Sequence, residues 1–402
     1  MNTQQAILAL NYGSSSLKFK LFAVNDDPEL LLSGHIKDIG SPVCTFESSY
    51  THQHASVPFF PADKIRTAAQ AAELTARWID QQPEYLVTAI GHRVVHGGIH
   101  LNEPAVIDED VLQQLRKAIS IAPLHVPVSI EGIHVFQHLF PGVPQVACFD
   151  TGFHRHMPFE AAHLAIPRKW WGEGVKRYGF HGLSCQYIIH HLNTTTKTLP
   201  GNILIAHLGN GCSITAVKNG VSIDTTMGFT PAGGLIMHTR PGDLDPGIVS
   251  YLLDQQPMDG KAWNELINKK SGLQAIAGGD ADIPSLLQRE STDIKAEQAL
   301  CMFCYSARKA IGSLAAALGG LDLLVFTGGI GEHAPVIRHR ICQGLQFMGI
   351  ELDASLNEQG ASCISTGKVA VQVIPTDEET MIARETWHLL KKQTGNIPLP
   401  WK

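Results

Sequence analysis

Two apolar runs in residues 7–22, ILALNYGSSSLKFKLF, flank a turn of small and polar residues. The turn contains Asn11, Gly13 and the serines at 14–16, and Lys18 follows on the outgoing run. Short apolar runs bounded by Gly, Asn and Ser are typical of strands joined by a hairpin. The pattern therefore predicts a hairpin whose tip carries hydroxyl and amide groups beside one cation.

A similar arrangement occurs about half a chain later. Residues 203–217, ILIAHLGNGCSITAV, indicate a strand, a polar glycine turn and a second strand. The sequence KNG at 218–220 predicts one more hairpin turn, followed by a third strand. Two such units predict duplicated domains, each of which offers a hairpin loop to a shared cleft.

Segments with helical periodicity separate these strands. They lie at 67–80, at 108–120, where acidic residues follow a capping position, and within 243–318. An apolar strand leads into a glycine turn at 321–332, and a strand, a polar turn and a terminal helix are expected at 369–390. Because strands and helices are mixed along the chain, the fold class is predicted to be α/β.

Composition limits the functional classes. The chain has 402 residues, enough for two domains, and 17% of them are charged. The net charge of -6 argues against a protein that binds nucleic acid or anionic membrane over its whole surface, but it allows a local basic pocket. No secretory signal or membrane-spanning segment is recognisable, so we expect a cytoplasmic protein with reduced cysteines.

One cysteine pair, Cys301 and Cys304, has the spacing CxxC. The surrounding segment has helical periodicity, so both thiols are expected on one face of a helix. Because no second pair offers metal ligands, the pattern favours two small buried residues over a metal or redox motif.

Three turns that contain glycine each follow an apolar strand, at 11–16, 207–211 and 326–332. Backbone N–H groups of such turns can bind phosphate oxygens, and Lys18 adds a positive charge near the first of them. None of the turns matches GxxxxGK[ST], or GxGxxG in a dinucleotide-binding setting. The turns therefore predict a phosphate site that is built from several distant loops.

Two arginines flanked by turn residues, Arg93 and Arg240, are further candidates for chemistry. A guanidinium suits carboxylate or phosphoryl oxygens. The alternative is a structural ion pair, for example between Arg240 and Asp243. Taken singly, either arginine fits both interpretations.

Two acids and one histidine also allow both a functional and a structural interpretation. Asp150 and Glu378 follow apolar runs, where carboxylates can hold Mg²⁺ through water, although PTDEE also resembles the capped start of a helix. His181 lies in the aromatic, glycine-bounded turn RYGFHG, where it is either a site residue or a hydrogen-bonded core histidine.

The motifs together resemble the acetate kinase family of the actin-like, sugar-kinase and heat-shock ATPase superfamily. They occur in family order from residue 11 to about 385, and they are NYGSSSLK, GHRVVHGG, APLH, FDTGFH, RYGFHG, HLGNG, DTTMGFTP, TRPGDLDP, FTGGIGE and PTDEE. The resemblance implies an α/β architecture of two ribonuclease H-like, actin-like ATPase domains flanking a nucleotide cleft. The expected domains are 1–150, completed by a C-terminal helix at 385–402, and the nucleotide-binding domain at 151–384.

The resemblance also implies an activity. It is reversible phosphoryl transfer between ATP and acetate, giving ADP and acetyl phosphate, with Mg²⁺ or alternatively Mn²⁺ as the metal, in a homodimer. The site residues that it implies are Asp150, His181 and Arg240 for catalysis; Arg93 and His125 for the carboxylate, with an apolar wall of Val95, Leu124, Phe180 and Pro231; Lys18, His207, Leu208, Gly209, Asn210, Gly211, Asp282, Gly328, Gly329, Ile330, Gly331 and Glu332 for the nucleotide; and Asn11 and Glu378 for the metal.

The sequence departs from the family pattern in several places, which bear on nucleotide preference, substrate choice and turnover. Pro284 occupies the position of an arginine beside the adenosine site, and Cys185 that of a histidine in HGLSC. The other departures are Val126, Gly233, His238 and Pro241.

Three other hypotheses stay open. One is a propionate or other short-chain carboxylate kinase, because an apolar wall discriminates one methylene by only about 1–3 kcal/mol. A second is an actin-like, nucleotide-dependent binding or structural ATPase, against which the arginine pair argues because such a protein needs no carboxylate clamp. A family member whose activity is weakened by its departures is a third interpretation.

Overall fold

The computed structural model describes residues 3–13, 15–51, 65–255 and 258–393. Residue 14 of the opening turn, and the end of the terminal helix expected to reach 402, lie outside these ranges. The chain divides into two compact units. The first is Met1–Gly152, Gly182–Tyr187 and Asp377–Lys402, and the second is Phe153–His181 and Ile188–Thr376.

Helices occur in both units. In chain order they are α1 (Ala68–Asp80), α2 (Glu109–Ala118), α3 (Val126–Leu139), α4 (Phe159–Ala162), α5 (Lys169–Gly172), α6 (Gly182–Thr195), α7 (Gly247–Gln255), α8 (Gly260–Lys269), α9 (Gly272–Ala277), α10 (Ile283–Arg289), α11 (Ile294–Leu318), α12 (Gly328–His333), α13 (Pro335–Cys342), α14 (Ala354–Glu358) and α15 (Glu378–Gln393). The helices expected at 67–80 and 108–120 are α1 and α2, whose N-caps are Thr67 and Asp108.

A seven-stranded sheet organises the first unit in the order β4-β3-β2-β1-β5-β7-β6. Its strands are β1 (Gln4–Tyr12), β2 (Leu17–Ala23), β3 (Leu30–Lys37), β4 (Thr45–Tyr50), β5 (Tyr85–Val94), β6 (Ala105–Val106) and β7 (Gln145–Phe149). Strands β1 to β4 pair antiparallel, whereas β1, β5 and β7 run parallel. The expected opening hairpin is present, and Asn11 pairs with Lys18 across it.

Both faces of this sheet are covered. On β1, Leu8 and Leu10 pack in a core cluster with residues of α1 and α3, while the alternate residues Ile7 and Ala9 pack with Ile382 of α15. A strand buried on both faces is nearly continuously apolar, as β1 is. Because α15 packs here from its first turn, the first unit includes the chain from residue 377, ahead of the start expected at 385.

The second unit contains a five-stranded sheet in the order β10-β9-β8-β11-β12. Its strands are β8 (Asn202–Leu208), β9 (Cys212–Lys218), β10 (Val221–Thr225), β11 (Leu323–Thr327) and β12 (Ala370–Val373). Strands β8 to β10 are antiparallel, and β8, β11 and β12 are parallel. This order and these directions repeat those of β3-β2-β1-β5-β7. The turn before β10 has positive φ at Asn219 and Gly220, as a two-residue hairpin turn requires.

The carboxyl ends of parallel strands meet at one edge of each sheet, where α/β proteins bind their ligands. In the first unit Asn11 lies near the end of β1, Arg93 near the end of β5, and Asp150 directly after β7. In the second unit the turn at 209–211 follows β8, and the glycine segment 328–332, expected as a turn, forms most of the short helix α12 directly after β11. Topology therefore gathers the candidate residues of each unit.

All eight cysteines lie in the described ranges, and none of them forms a disulfide bond. Cys304 is buried, but Cys301 is exposed, so the expectation of two buried thiols is wrong for Cys301. The reason is that the buried stripe of α11 passes through Leu300, Phe303 and Cys304 and leaves position 301 beside it. Across the ranges that the structure describes, no helix combines the length and apolar character needed to cross a membrane.

Candidate active site

Arg93 is the centre of a charged cluster in the first unit. Its Nη2 donates to Oδ2 of Asp150 at 2.6 Å, and its Nε lies 3.1 Å from both oxygens of that carboxylate. Its Nη1 donates to Oδ1 of Asn11 at 2.9 Å and lies 3.6 Å from Oε2 of Glu378. The structure therefore brings together four residues that the sequence singled out on four separate segments.

Asn11 links this arginine to the acids at the start of α15. Its Nδ2 donates to Oε2 of Glu378 at 2.9 Å and to Oε1 of Glu379 at 2.6 Å. The alternative interpretation of PTDEE is also correct, because Asp377 accepts a hydrogen bond from the backbone N–H of Thr380 in the first turn of the helix. One segment thus caps a helix and presents Glu378 to Asn11.

Sequence reasoning missed Lys20 and Glu379. Lys20 Nζ lies 2.6 Å from Oδ2 of Asp377 and 3.8 Å from Oε2 of Glu379, and so it neutralises the acids at the start of α15. Lys18, which the resemblance assigns to the phosphate, is exposed on β2. Because residues two apart on a strand share a face, the Lys18–Lys20 alternation was the available signal.

Burial and charge act against each other in this cluster. Burial raises the pKa of Asp150 to about 6, although the Arg93 guanidinium opposes the rise and the Glu378 carboxylate adds to it. Burial alone would lower the pKa of Arg93, but the Asp150 and Glu378 carboxylates outweigh it and raise that pKa. Arg93 is therefore a permanent cation, while Asp150 can take up a proton in mildly acidic solution.

The residues expected in an apolar wall are divided between the units. Val95 follows β5 and is buried, and Leu124 and His125 are half-buried immediately before α3. Phe180 is buried in the second unit, as is Pro231.

His181 and Arg240 face one point in the second unit. Nδ1 of His181 lies 2.9 Å from the Ser213 hydroxyl, and its ring stacks on that of His207 with centroids 4.2 Å apart. A Cβ placed on Gly211 would lie 3.2 Å from Nε2 of His181 and 3.7 Å from Nη1 of Arg240. Both nitrogen-bearing groups therefore approach the glycine turn that follows β8.

Arg240 has no carboxylate partner among the described residues. Its Nη1 donates to the carbonyl oxygen of Pro231 at 2.7 Å, and burial lowers its pKa. The ion pair with Asp243 that the sequence left open does not form, since Oδ1 of Asp243 accepts from the backbone N–H of Gly234. Arg240 thus remains a half-buried cation without a compensating charge.

The glycine segments that follow β8 and β11 lie in close contact. A Cβ on Gly328, whose φ is 77°, would lie 2.7 Å from the carbonyl oxygen of Leu208, so only glycine fits there. Oε1 of Glu332 accepts from the backbone N–H groups of Gly328 at 2.8 Å and Thr376 at 3.1 Å. Glu332 therefore acts through backbone bonds that fix the turn.

Arg338 is a further residue that sequence reasoning missed. It is fully buried on α13, and its Nη1 donates to the carbonyl oxygens of Gly331 and Glu332, each at 2.9 Å. These bonds fix the far end of the turn at 328–332. An arginine among the apolar positions of PVIRHRIC was the only sequence signal for it.

A cavity of about 510 Å³ opens beside the two glycine turns. Its lining includes Gly209, Asn210, Gly329 and Ile330. The remaining lining residues are His238, Leu273, Ala281, Asp282, Ile283, Pro284, Phe303, His333 and Ala334. The Asp282 carboxylate caps α10 by accepting from the backbone N–H of Ser285 at 2.6 Å, and Pro284 lies in the first turn of that helix.

The fold and these residues define a two-unit α/β phosphotransferase. The model of the acetokinase family matches residues 6–384. The chain is 39% identical to an acetate kinase of Methylocella silvestris over 97% of its length and 99% of that protein. The chain belongs to the acetokinase family.

Solved structures agree. A propionate kinase from Francisella tularensis superposes with a TM-score of 0.84 at 36% identity, covering 96% of this chain and 99% of that one. The acetate kinase of Porphyromonas gingivalis superposes with a TM-score of 0.80 at 35% identity, covering 97% and 100%. The expected actin-like ATPase fold, and the expected class of kinases that act on a carboxyl group, are confirmed.

Proposed function

We propose that this chain is an acetate kinase that transfers a phosphoryl group reversibly between ATP and acetate. The observation that carries the proposal is Arg240, a half-buried guanidinium with no carboxylate partner in the described chain. It faces His181 and the glycine turn at 209–211. Phosphoryl transfer depends on fixed cations and donors around the equatorial oxygens of the transferring group, and Arg240 and His181 supply them.

Arg93 binds the acetate carboxylate in this proposal. Acetate is ionised at neutral pH, so positioning it matters more than removing a proton. Asp150 orients the guanidinium by accepting from two of its nitrogens, which leaves few rotamers open to Arg93. His125 adds a polar group, and the residues that the family resemblance assigns to the apolar wall for the methyl group are Val95 and Leu124 in the first unit and Phe180 and Pro231 in the second.

Asn11 and Glu378 are the residues that would hold Mg²⁺, or Mn²⁺ in its place. The Asn11 oxygen keeps a second lone pair beyond its bond to Arg93, and Glu378 supplies a carboxylate. The described residues contain no group of three or more His, Cys, Asp or Glu arranged for a metal. Two oxygen donors suit Mg²⁺, which keeps several waters and binds substrate phosphates. When bound, the ion neutralises charge on those phosphates.

ATP or ADP occupies the turns at 207–211 and 328–332 and the neighbouring cavity in this proposal. The cavity volume of about 510 Å³ falls in the usual range for small-ligand sites. The family resemblance assigns Lys18 of the first unit to the phosphate end, and Asp282 shapes the cavity by capping α10. His238 and Pro284 are the departures from the family that border the nucleoside.

A homodimer in the cytoplasm completes the proposal. Helix α7 carries no buried residue, although its sequence GIVSYLLDQ is mostly apolar. Ile248, Tyr251 and Leu253 on this helix are exposed, and a second copy of the chain would cover them. The eight free thiols are typical of a reducing compartment.

The test is formation of acyl phosphate, trapped as the hydroxamate, from MgATP with acetate, propionate or butyrate. Arg240→Ala is expected to lose the product. The matched control is Arg77→Ala, which removes an exposed arginine paired with Glu73 on α1 and should keep full activity. Absence of product from the unmodified protein with every acid would overturn the proposal.

Propionate is the second candidate substrate, favoured by the likeness to the Francisella propionate kinase. The ratio of kcat/KM values for the two acids decides between them. Nucleotide hydrolysis that ignores added acid would instead support an actin-like structural ATPase.

A further inference from the structure

His154 is a buried histidine that the proposed chemistry does not use. It follows β7 in FDTGFH and is 1% exposed. Its Nε2 lies 3.0 Å from the carbonyl oxygen of Phe180, and its Nδ1 lies 2.8 Å from the Ser222 hydroxyl on β10. Both ring nitrogens therefore have partners within the second unit.

These partners determine the tautomer of His154. A carbonyl oxygen only accepts, so Nε2 must carry a hydrogen and donate it to Phe180. Burial lowers the pKa of His154 to about 4, so the ring is neutral at physiological pH and Nδ1 accepts from the Ser222 O–H. One histidine thus joins β10 to the backbone that immediately precedes His181.

That backbone has an unusual conformation. His181 has φ 57° and ψ 28°, the left-handed region in which a residue with a side chain is strained. Strain of this kind persists only where the surrounding structure enforces it. Gly179, at φ 74°, lies against the His154 ring, since a Cβ there would be 2.6 Å from ring atoms. The His154 ring therefore contacts the turn through both packing and a hydrogen bond.

We propose that His154 is a positioning residue for His181. By donating to the Phe180 carbonyl it holds the turn at 179–181 in the strained conformation that aims the His181 ring at Arg240 and the 209–211 turn. The Ser213 hydroxyl then fixes the ring itself through Nδ1. The inference rests on the proposed role of His181 in phosphoryl transfer.

The experiment is a double-mutant cycle measured in the hydroxamate assay. His154→Phe keeps the size of the ring and removes the hydrogen bond, and we expect kcat to fall about thirtyfold while both KM values change less than about twofold. His154→Gln retains an N–H at a similar reach and should recover most of the rate. In a His181→Ala background, His154→Phe should have no further effect on kcat, because residues that act as a unit are not additive.

A second pair of variants keeps the test valid should His154→Phe not fold. Ser222→Ala removes only the outer hydrogen bond, and its expected threefold or so loss of kcat should again vanish in the His181→Ala background. The matched control is Thr215→Val, which removes the buried hydroxyl bond between Thr215 and Thr225 in the same sheet and should leave kcat unchanged.

The outcomes separate this inference from the proposed function. The positioning role alone would be overturned if His154→Phe left kcat unchanged. It would also be overturned if the kcat losses of His154→Phe and Ser222→Ala multiplied with the loss caused by His181→Ala. A fully active His181→Ala variant would overturn the proposed role of His181 and this inference with it.

Discussion

The two units differ in how their candidate arginine is paired with acidic side chains. In the first, Arg93, Asp150, Asn11 and Glu378 bond to one another, so that the guanidinium is surrounded by acceptors. In the second, the Pro231 carbonyl is the only hydrogen-bond partner of the Arg240 side chain among the residues that the structure describes. The first cluster is internally compensated, whereas the second presents an uncompensated cation.

This difference predicts which arginine contributes to the stability of the fold and which serves anion binding alone. Removing one partner of a buried ion pair costs about 3–5 kcal/mol because the other charge is left without a partner. Removing an uncompensated cation leaves no orphaned charge behind. Mutation of Arg93 should therefore affect both folding and activity, while mutation of Arg240 should affect activity alone.

Arg240→Ala is the variant with the largest expected effect on rate. Loss of a fixed cation from the transition state should lower kcat by about a thousandfold. The thermal midpoint should stay within about 2 °C of the unmodified protein, because no carboxylate loses its partner. Hydroxamate assays and calorimetry measure the two quantities. Near-normal turnover would remove the distinction between the units.

Arg93→Ala should lower the free energy of unfolding by about 3 kcal/mol as well as removing most activity. The cause is that Asp150 stays buried without its guanidinium. Urea unfolding monitored by circular dichroism gives the free energy, with Arg77→Ala as the matched surface control. A stability equal to that of the control would show that the first cluster is not held by this pair.

Glu378→Gln should raise the Mg²⁺ concentration needed for half-maximal rate by about tenfold. An amide oxygen replaces one carboxylate oxygen, so the attraction to the ion weakens while the shape is retained. Titration of activity with MgCl₂ at fixed ATP measures the shift, and Glu290→Gln, an acid paired with Arg340 in the second unit, is the control. An unchanged midpoint in Glu378→Gln would argue against its place at the metal.

Activity should fall on the acid side of about pH 6, where Asp150 takes up a proton. The functional form is the carboxylate that orients Arg93, so activity is present above this pKa and lost below it. The guanidinium holds the pKa of Asp150 down. Because a lysine ammonium lacks the planar fork of donors that binds the carboxylate, Arg93→Lys should move the acid limb of the profile to higher pH. Profiles of kcat/KM between pH 5 and 8 test the direction. An identical limb in both proteins would exclude Asp150 as its source.

The sequence predicted the fold well because the signals are local. The turn residues at 11–16, 207–211 and 218–220 lie between apolar runs, and each of these runs became a strand. Asn11, Arg93 and Asp150 lie at or directly after strand ends, which topology brings together. Asn11 and Glu378, far apart in the chain, meet because β1 packs against α15.

Other parts of the site depend on contacts that no local pattern carries. Lys20, which no sequence pattern singled out, pairs with the acids at the start of α15. Arg338 on α13 donates to carbonyl oxygens of the preceding helix α12, and His154 donates to the backbone before His181. Such side chain to backbone bonds leave no motif, because any residue type can supply the carbonyl.

Cys185→Ala has the smallest expected effect. Cys185 is fully buried in α6, and a buried thiol behaves as a small apolar side chain. Alanine favours the helix and leaves only a small void, so the free energy of unfolding should fall by about 1 kcal/mol. The kcat value should stay within about twofold, since transition-state charge is met elsewhere. Loss of activity in a folded Cys185→Ala protein would instead place a reactive group in the first unit outside the Arg93 cluster, and the contrast between a compensated and an uncompensated unit would then no longer account for catalysis.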